Sequence, residues 1–170
     1  MRSTATMCVF GIVLLSAVTI MPRHLSADEA QDALEQGKAA LAKGDADVAI
    51  GRCSEAVRLS PEYADGYQNR GDAYYQKGEY DKAIADFTEA IRLNPNDAGG
   101  YFNRANLLFY KKRAYDKAIG DLTEVIRLNP KDAQAYYNRG LAYRRHGDIQ
   151  KAGEDLARAK ELGFKVGRAP

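Results

Sequence analysis

Histidine and cysteine carry much of the nucleophilic, proton-transfer and metal chemistry that proteins perform near neutral pH. This chain has only two of each in 170 residues, and one of each falls within the first 27. The remaining pair, His146 and Cys53, are almost a hundred positions apart, in unlike settings. His146 precedes Gly147 in a predicted turn, the place of a solvated side chain. Cys53 lies on the apolar face of a predicted helix, where a small buried residue is expected rather than a reactive thiol. No His, Cys or Asp cluster has metal-ligand spacing, no Gly-rich loop joins a strand to a helix, and no nucleophile elbow appears. Asp and Glu alternate with Lys and Arg along polar helix faces, as on a solvated surface. The expectation is a non-enzyme without metal or cofactor, acting by recognition.

Charge narrows the partners. The formal balance of +2 comes from Arg2 and Arg23, because the first 27 residues hold no Asp or Glu. The rest carries 23 basic and 23 acidic residues, so the folded part is neutral. A nucleic-acid binder would show a basic excess on its domain, so that class is not expected.

The amino terminus has the pattern of an export signal. Arg2 supplies a positive start, Met7 to Ile20 form an apolar run of fourteen residues, and Pro22 ends it. Ala27 is a plausible cleavage point before Asp28, although Leu25 is bulkier than usual at its position. The run is shorter than the ~20 residues of a typical spanning helix. Export to a periplasmic or extracellular space with loss of residues 1–27 is expected, leaving 28–170 and no membrane attachment. The alternative is an uncleaved anchor at residues 5–22 holding an adaptor on a membrane. Cys8 precedes the apolar run, which argues against lipid attachment. Cleavage would leave Cys53 alone, so no internal disulfide is expected.

The elements that would position a recognition surface follow from a repeat. Tyr67-Gln68-Asn69-Arg70-Gly71-Asp72-Ala73-Tyr74 returns as Tyr136-Tyr137-Asn138-Arg139-Gly140-Leu141-Ala142-Tyr143. Pro61 and Pro95 are 34 residues apart, and Pro95 and Pro130 are 35 apart. Tyr67, Gly71 and Tyr74 share one helical face, as do Ala83, Phe87, Ala90 and Leu93. Each unit therefore predicts two antiparallel helices, in unit two from about Ala64 to Lys77 and from Tyr80 to Leu93. Units fall at 30–63, 64–97, 98–132 and 133–166. Gly71 and Gly140 are expected to face Ala83 and Ala152, letting the paired backbones approach, while Tyr67 and Phe87 fill the gaps between units. Gly44, Gly78 and Gly147 suit left-handed helix ends, and Asp97 and Asp132 suit amino-terminal caps. Such units bury their apolar faces only by stacking, which gives a solenoid.

This pattern closely resembles the tetratricopeptide repeat across residues 30–166. The resemblance implies an all-α, right-handed solenoid whose activity is protein–protein recognition. It also implies a concave groove lined by the first helix of each unit, holding a peptide segment of a partner. Carried onto this sequence, the groove falls to Gln68, Asp72 and Tyr75, then Phe102, Asn106 and Phe109, then Tyr137, Leu141 and Arg144. Asn69, Asn103 and Asn138 lie beside these positions, available to a partner's backbone or to packing between units. Chaperone-binding members of the family clamp a terminal carboxylate with Lys and Asn. Here Gln68, Asp72 and Gln134 stand at clamp positions, and although Asn103 and Asn106 fit, a ligand ending in Asp is not expected.

The irregular units carry their own expectations. Unit one has Ala33, Ala40 and Cys53 where bulk is usual and should be the loosest, or an adapted cap. Unit three has Ala105 for the glycine and an extra residue in a turn, Tyr110 to Ala114, that lacks glycine. Lengthening could relieve that turn, and Lys111, Lys112 and Arg113 could form a patch for an acidic partner. After unit four only Gly163 to Pro170 remain, so the charges of the last helix must keep that end soluble. Otherwise that end is a candidate for weak homo-oligomerisation or structural self-assembly in the cell envelope.

Overall fold

A computed structural model describes residues 23–165. The apolar run from Met7 to Ile20, Cys8, and the last five residues lie outside that span. Among the described residues there are eight helices and no strand. They are α1 (Arg23–Lys43), α2 (Ala46–Leu59), α3 (Ala64–Lys77), α4 (Tyr80–Leu93), α5 (Ala98–Tyr110), α6 (Tyr115–Leu128), α7 (Ala133–His146) and α8 (Ile149–Glu161). Each packs mainly on the helices before and after it, and α1 also touches α3. The result is an all-α solenoid of helix pairs. In unit two both helices have the bounds that the apolar spacing predicts.

The backbone of α1 runs unbroken through Ala27 and Asp28, so the predicted cleavage point falls inside a helix. Among the described side chains, burial begins at Ala30, the first residue of unit one.

Helix ends follow local chemistry. Gly44, Gly78 and Gly147 adopt φ of 81°, 77° and 106°, the left-handed conformation that turns α1, α3 and α7 toward their partners. The Asp97 carboxylate accepts from the Gly99 amide at 3.0 Å, and Asp132 from Ala135 at 2.9 Å, satisfying amides that have no partner within the helix. Asp148 does the same for Lys151 on α8.

The core is a row of small clusters, one after another, between helix pairs. Phe87 is 1% exposed among Ala83 and Leu107, with Tyr74, Tyr80 and Ile84 against them, so its ring bridges units two and three. Burying such a side chain contributes about 1.5–3 kcal/mol. Gly71 serves a different neighbour from the one expected. A Cβ there would lie 2.7 Å from Phe87 Cε1, so the missing side chain makes room for the ring rather than for Ala83. At Gly140 the nearest atoms are Leu156 Cγ and the Ala152 carbonyl, which combines both roles.

Unit one closes by other means than large groove-side rings. Leu34 and Cys53 are fully buried with Ala33 and Ala56, and Tyr63 from the following turn packs onto them. The bulk missing at Ala33 and Cys53 is supplied by Leu34 and by that tyrosine, whose hydroxyl donates to Gln31 Oε1.

The turn of unit three is not relieved by its extra residue. Arg113 sits at φ 52°, left-handed without being glycine, and the Ala114 amide donates to the Leu108 carbonyl at 2.9 Å. Lys112 reaches Asp81 at 2.6 Å, and Lys111 Nζ lies 5.0 Å from the Tyr80 ring centroid. Two of the three cations are thus engaged with α4 of the preceding unit. These contacts run from the turn of unit three to α4 of unit two at the surface, which leaves Arg113 alone of the expected acidic-partner patch without one.

Candidate partner-binding face

The first helices of units two, three and four are held in place by an arrangement that the repeat displays but whose role the spacing alone did not reveal. Arg70 donates through Nε and Nη2 to both oxygens of Asp86, each at 2.8 Å. Arg104 does the same to Asp121 and Arg139 to Asp155, at 2.7–2.9 Å. The remaining guanidinium nitrogen of each reaches back one unit, to Ser54, Thr88 or Thr123. Each pair is two-pronged, and the aspartates are nearly buried. Hydrogen bonding to its aspartate raises each arginine's pKa above the ordinary value. The signal available in the sequence was arginine at the same place in three units, with aspartate sixteen or seventeen residues later.

None of the nine groove positions is buried, and seven of them line three clefts. Asp72, Tyr75 and Asn106 line the first with Asn103, Phe87 and Leu107, a hollow of about 180 Å³. Asn106, Phe109 and Leu141 line the second with Asn138, but the helices close it so tightly that no water-sized space is left. Tyr137, Leu141 and Arg144 line the third with Leu156, Lys160 and Phe164, an open cleft of about 500 Å³. Gln68 and Phe102 line none of these. Gln68 lies against Gly99 of the next unit, and Phe102 packs on the Ala105, Leu122, Val125 and Ala135 cluster.

The neighbouring asparagines are committed within the fold. Asn103 Nδ2 donates to Asp72 and Asn138 Nδ2 to Asn106, both at 3.1 Å, joining successive units. Asn69 donates to the Asp65 carbonyl in its own helix. Inter-unit packing accounts for two of the three and a local bond for the third. Tyr75, 49% exposed, is the groove ring most open to a partner. Tyr137 is stacked by Phe164, with centroids 4.2 Å apart, a contact within unit four that the sequence did not suggest.

Burial pushes the Asp72 carboxyl up to about 6. The same cause takes the Cys53 thiol to about 11, which keeps it a neutral, packed side chain. His146 ends α7 in solvent. Among the described residues no group of three His, Cys, Asp or Glu side chains comes together to hold a metal ion. Every buried side-chain nitrogen and oxygen there has a hydrogen-bond partner.

Comparison with known proteins bears on the whole face. Residues 71–111 match a family model described as TPR repeat, and residues 102–163 match one described as tetratricopeptide repeat. Together they span more than half of the chain. It is a tetratricopeptide-repeat protein. Unit one lies outside both matches, in keeping with its departures at Ala33, Ala40 and Cys53. Among solved structures, a crystal structure of MamA is 28% identical with a TM-score of 0.76, covering 82% of each chain. MamA from residue 41 to its end, from Desulfovibrio magneticus RS-1, is 26% identical with a TM-score of 0.74, covering 80% of this chain and 76% of that one. The Arabidopsis OM64 TPR domain is alike in fold, at 23% identity and a TM-score of 0.66, covering 71% of this chain and 98% of that domain. No curated protein sequence matched. Tetratricopeptide-repeat proteins bind protein partners, and they are generally scaffolds rather than catalysts. No helix among the described residues is long and apolar enough to cross a membrane.

Proposed function

We propose that this protein is a non-catalytic scaffold that holds a peptide segment of a partner along the face of α3, α5 and α7. The observation that carries this reading is the hollow between α3 and α5, where Tyr75 stands half exposed beside Asp72, Asn103 and Asn106. An aromatic ring open to solvent next to amide and carboxyl groups offers stacking area with hydrogen bonding at its edge, a combination favoured at protein interfaces.

The test is selection of peptides from a random library displayed on phage against the purified chain. Selected peptides should bind saturably, and Tyr75→Ala should weaken them at least tenfold with an unchanged far-ultraviolet spectrum. Peptides whose affinity is indifferent to Tyr75→Ala and to Asn106→Ala would remove this face from consideration.

The apolar run from Met7 to Ile20 supports a scaffold that works outside the cytoplasm, in a periplasmic or extracellular space, with residues 5–22 as an anchor if they are retained. Mass spectrometry of the protein isolated from its expressing cell distinguishes the two. An amino terminus at Asp28 supports export with cleavage, whereas an intact terminus in the membrane fraction supports the anchor.

A further inference from the structure

The two ends of the array complement one another. At each internal junction a small residue on the incoming helix meets an aliphatic one on the helix before. Gly66 meets Val57 and Gly100 meets Ile91, where an added Cβ would come within 2.7 and 3.0 Å, and Ala135 shares a cluster with Ile126. Continuing the same spacing past unit four, the place of Val57, Ile91 and Ile126 is taken by Lys160. Going back to unit one, the place of Gly66, Gly100 and Ala135 is taken by Asp32. Both are exposed.

A second pair behaves alike. Asn138 and Phe109 line the closed cleft between units three and four. The residue in Asn138's place on α1 is Glu35, and the residue in Phe109's place on unit four is Arg144. A third pair loses both of its partners. The internal arginines reach back to Ser54, Thr88 and Thr123, but α1 has Gln36 for the arginine and α8 has Ala157 for the hydroxyl. Ala39 of α1 is exposed, whereas Ala73, Leu107 and Ala142 at its position are buried.

The departures at one end are thus answered at the other: acid for base twice, and a guanidinium lost where the hydroxyl it would reach is lost. We infer that α1 of a second copy docks on the open α7–α8 face of unit four, with Asp32 beside Lys160 and Glu35 beside Arg144. The open cleft there, about 500 Å³, is the space that α7 fills at the preceding junction. Asp32 is larger than glycine, but Lys160 has no branch at Cβ, so its stem can turn aside where Ile91 could not. Such a contact joins unlike faces and repeats along the solenoid axis, so it yields open-ended chains rather than closed dimers. It is distinct from the α3–α5 hollow of the peptide-binding reading, although it uses Arg144, Leu141 and Tyr137 of the same row.

Sedimentation velocity of the purified protein across a wide concentration range tests this. The mass should rise with concentration beyond a dimer and fall as salt is added, since the new pairs are charged. Lys160→Asp and Asp32→Lys should each lower the apparent association constant at least tenfold. The variant carrying both should regain most of it, because the pair is reversed rather than removed. A monomer at every concentration overturns the inference, and so does association that either single variant leaves unchanged. A doubly exchanged variant that stays as weak as the singles overturns it too. Peptide binding by the Lys160→Asp variant at the Tyr75 hollow reports on the other reading separately.

Discussion

The junction between units three and four and the outer face of unit four occupy matching positions of one repeat, yet a lysine stands on the outer face where the junction has an isoleucine. At the junction, Leu122, Val125, Ile126 and Ala135 exclude water, and Arg139 is locked to Asp155 of its own unit and to Thr123 of unit three. On the outer face the places of Leu122, Val125 and Ile126 hold Leu156, Ala159 and Lys160, and Arg158 is paired to Glu161 within its own helix. Burial decides the difference. A cation between two units must be met on every donor, because the alternative is an unpaired charge away from water. A cation on an end can be hydrated, so its partner contributes little. The junction therefore fixes geometry, and the end remains free to choose a partner.

Removing one carboxylate from each region should separate them most clearly. Asp155→Ala strands Arg139, whose side chain is 16% exposed, and should lower stability by about 2–4 kcal/mol in urea unfolding. Glu161→Ala at the outer face should stay within about 0.5 kcal/mol of the parent. Equal losses at the two sites would erase the contrast. A smaller effect belongs to Asp72, half-buried at the junction of units two and three. Its folded carboxyl, at about 6, keeps a proton at pH values where the unfolded chain, near the ordinary 3.8, has lost it. Folding therefore takes up a proton in that window, and Asp72 makes the protein less stable as pH rises from about 4 to about 6, with no further change above. Relative to the parent, Asp72→Asn should gain about 1–2 kcal/mol at pH 7, allowing for partial exposure and for the Asn103 hydrogen bond, and almost nothing at pH 4. Thermal melts of both proteins at the two pH values measure it, and a gain independent of pH would assign the effect to packing instead.

Much of this architecture is legible in the chain because repeats report local chemistry several times over. The bounds of α3 and α4, the left-handed glycines at 44, 78 and 147 and the caps at Asp97 and Asp132 all depend on residues within one turn of where they act. The groove was less legible. Its positions follow from helical spacing, but spacing does not say whether a ring faces solvent, a neighbouring unit or another ring. Phe102 leans into the core and Tyr137 is covered by Phe164, while Tyr75 stands open, although all three lie on the same helical stripe.

The sequence by itself determined the helix pairs, their period and the family, since each rests on contacts between residues a few positions apart. Only the tertiary structure decided which charges are held and which are free. Lys111 and Lys112 look like a surface patch until Tyr80 and Asp81 are brought beneath them, and the arginines of the repeat look solvated until an aspartate sixteen or seventeen residues away arrives. A charge takes its role from the distance to its partner and from the water around it, and both are set when the helices stack.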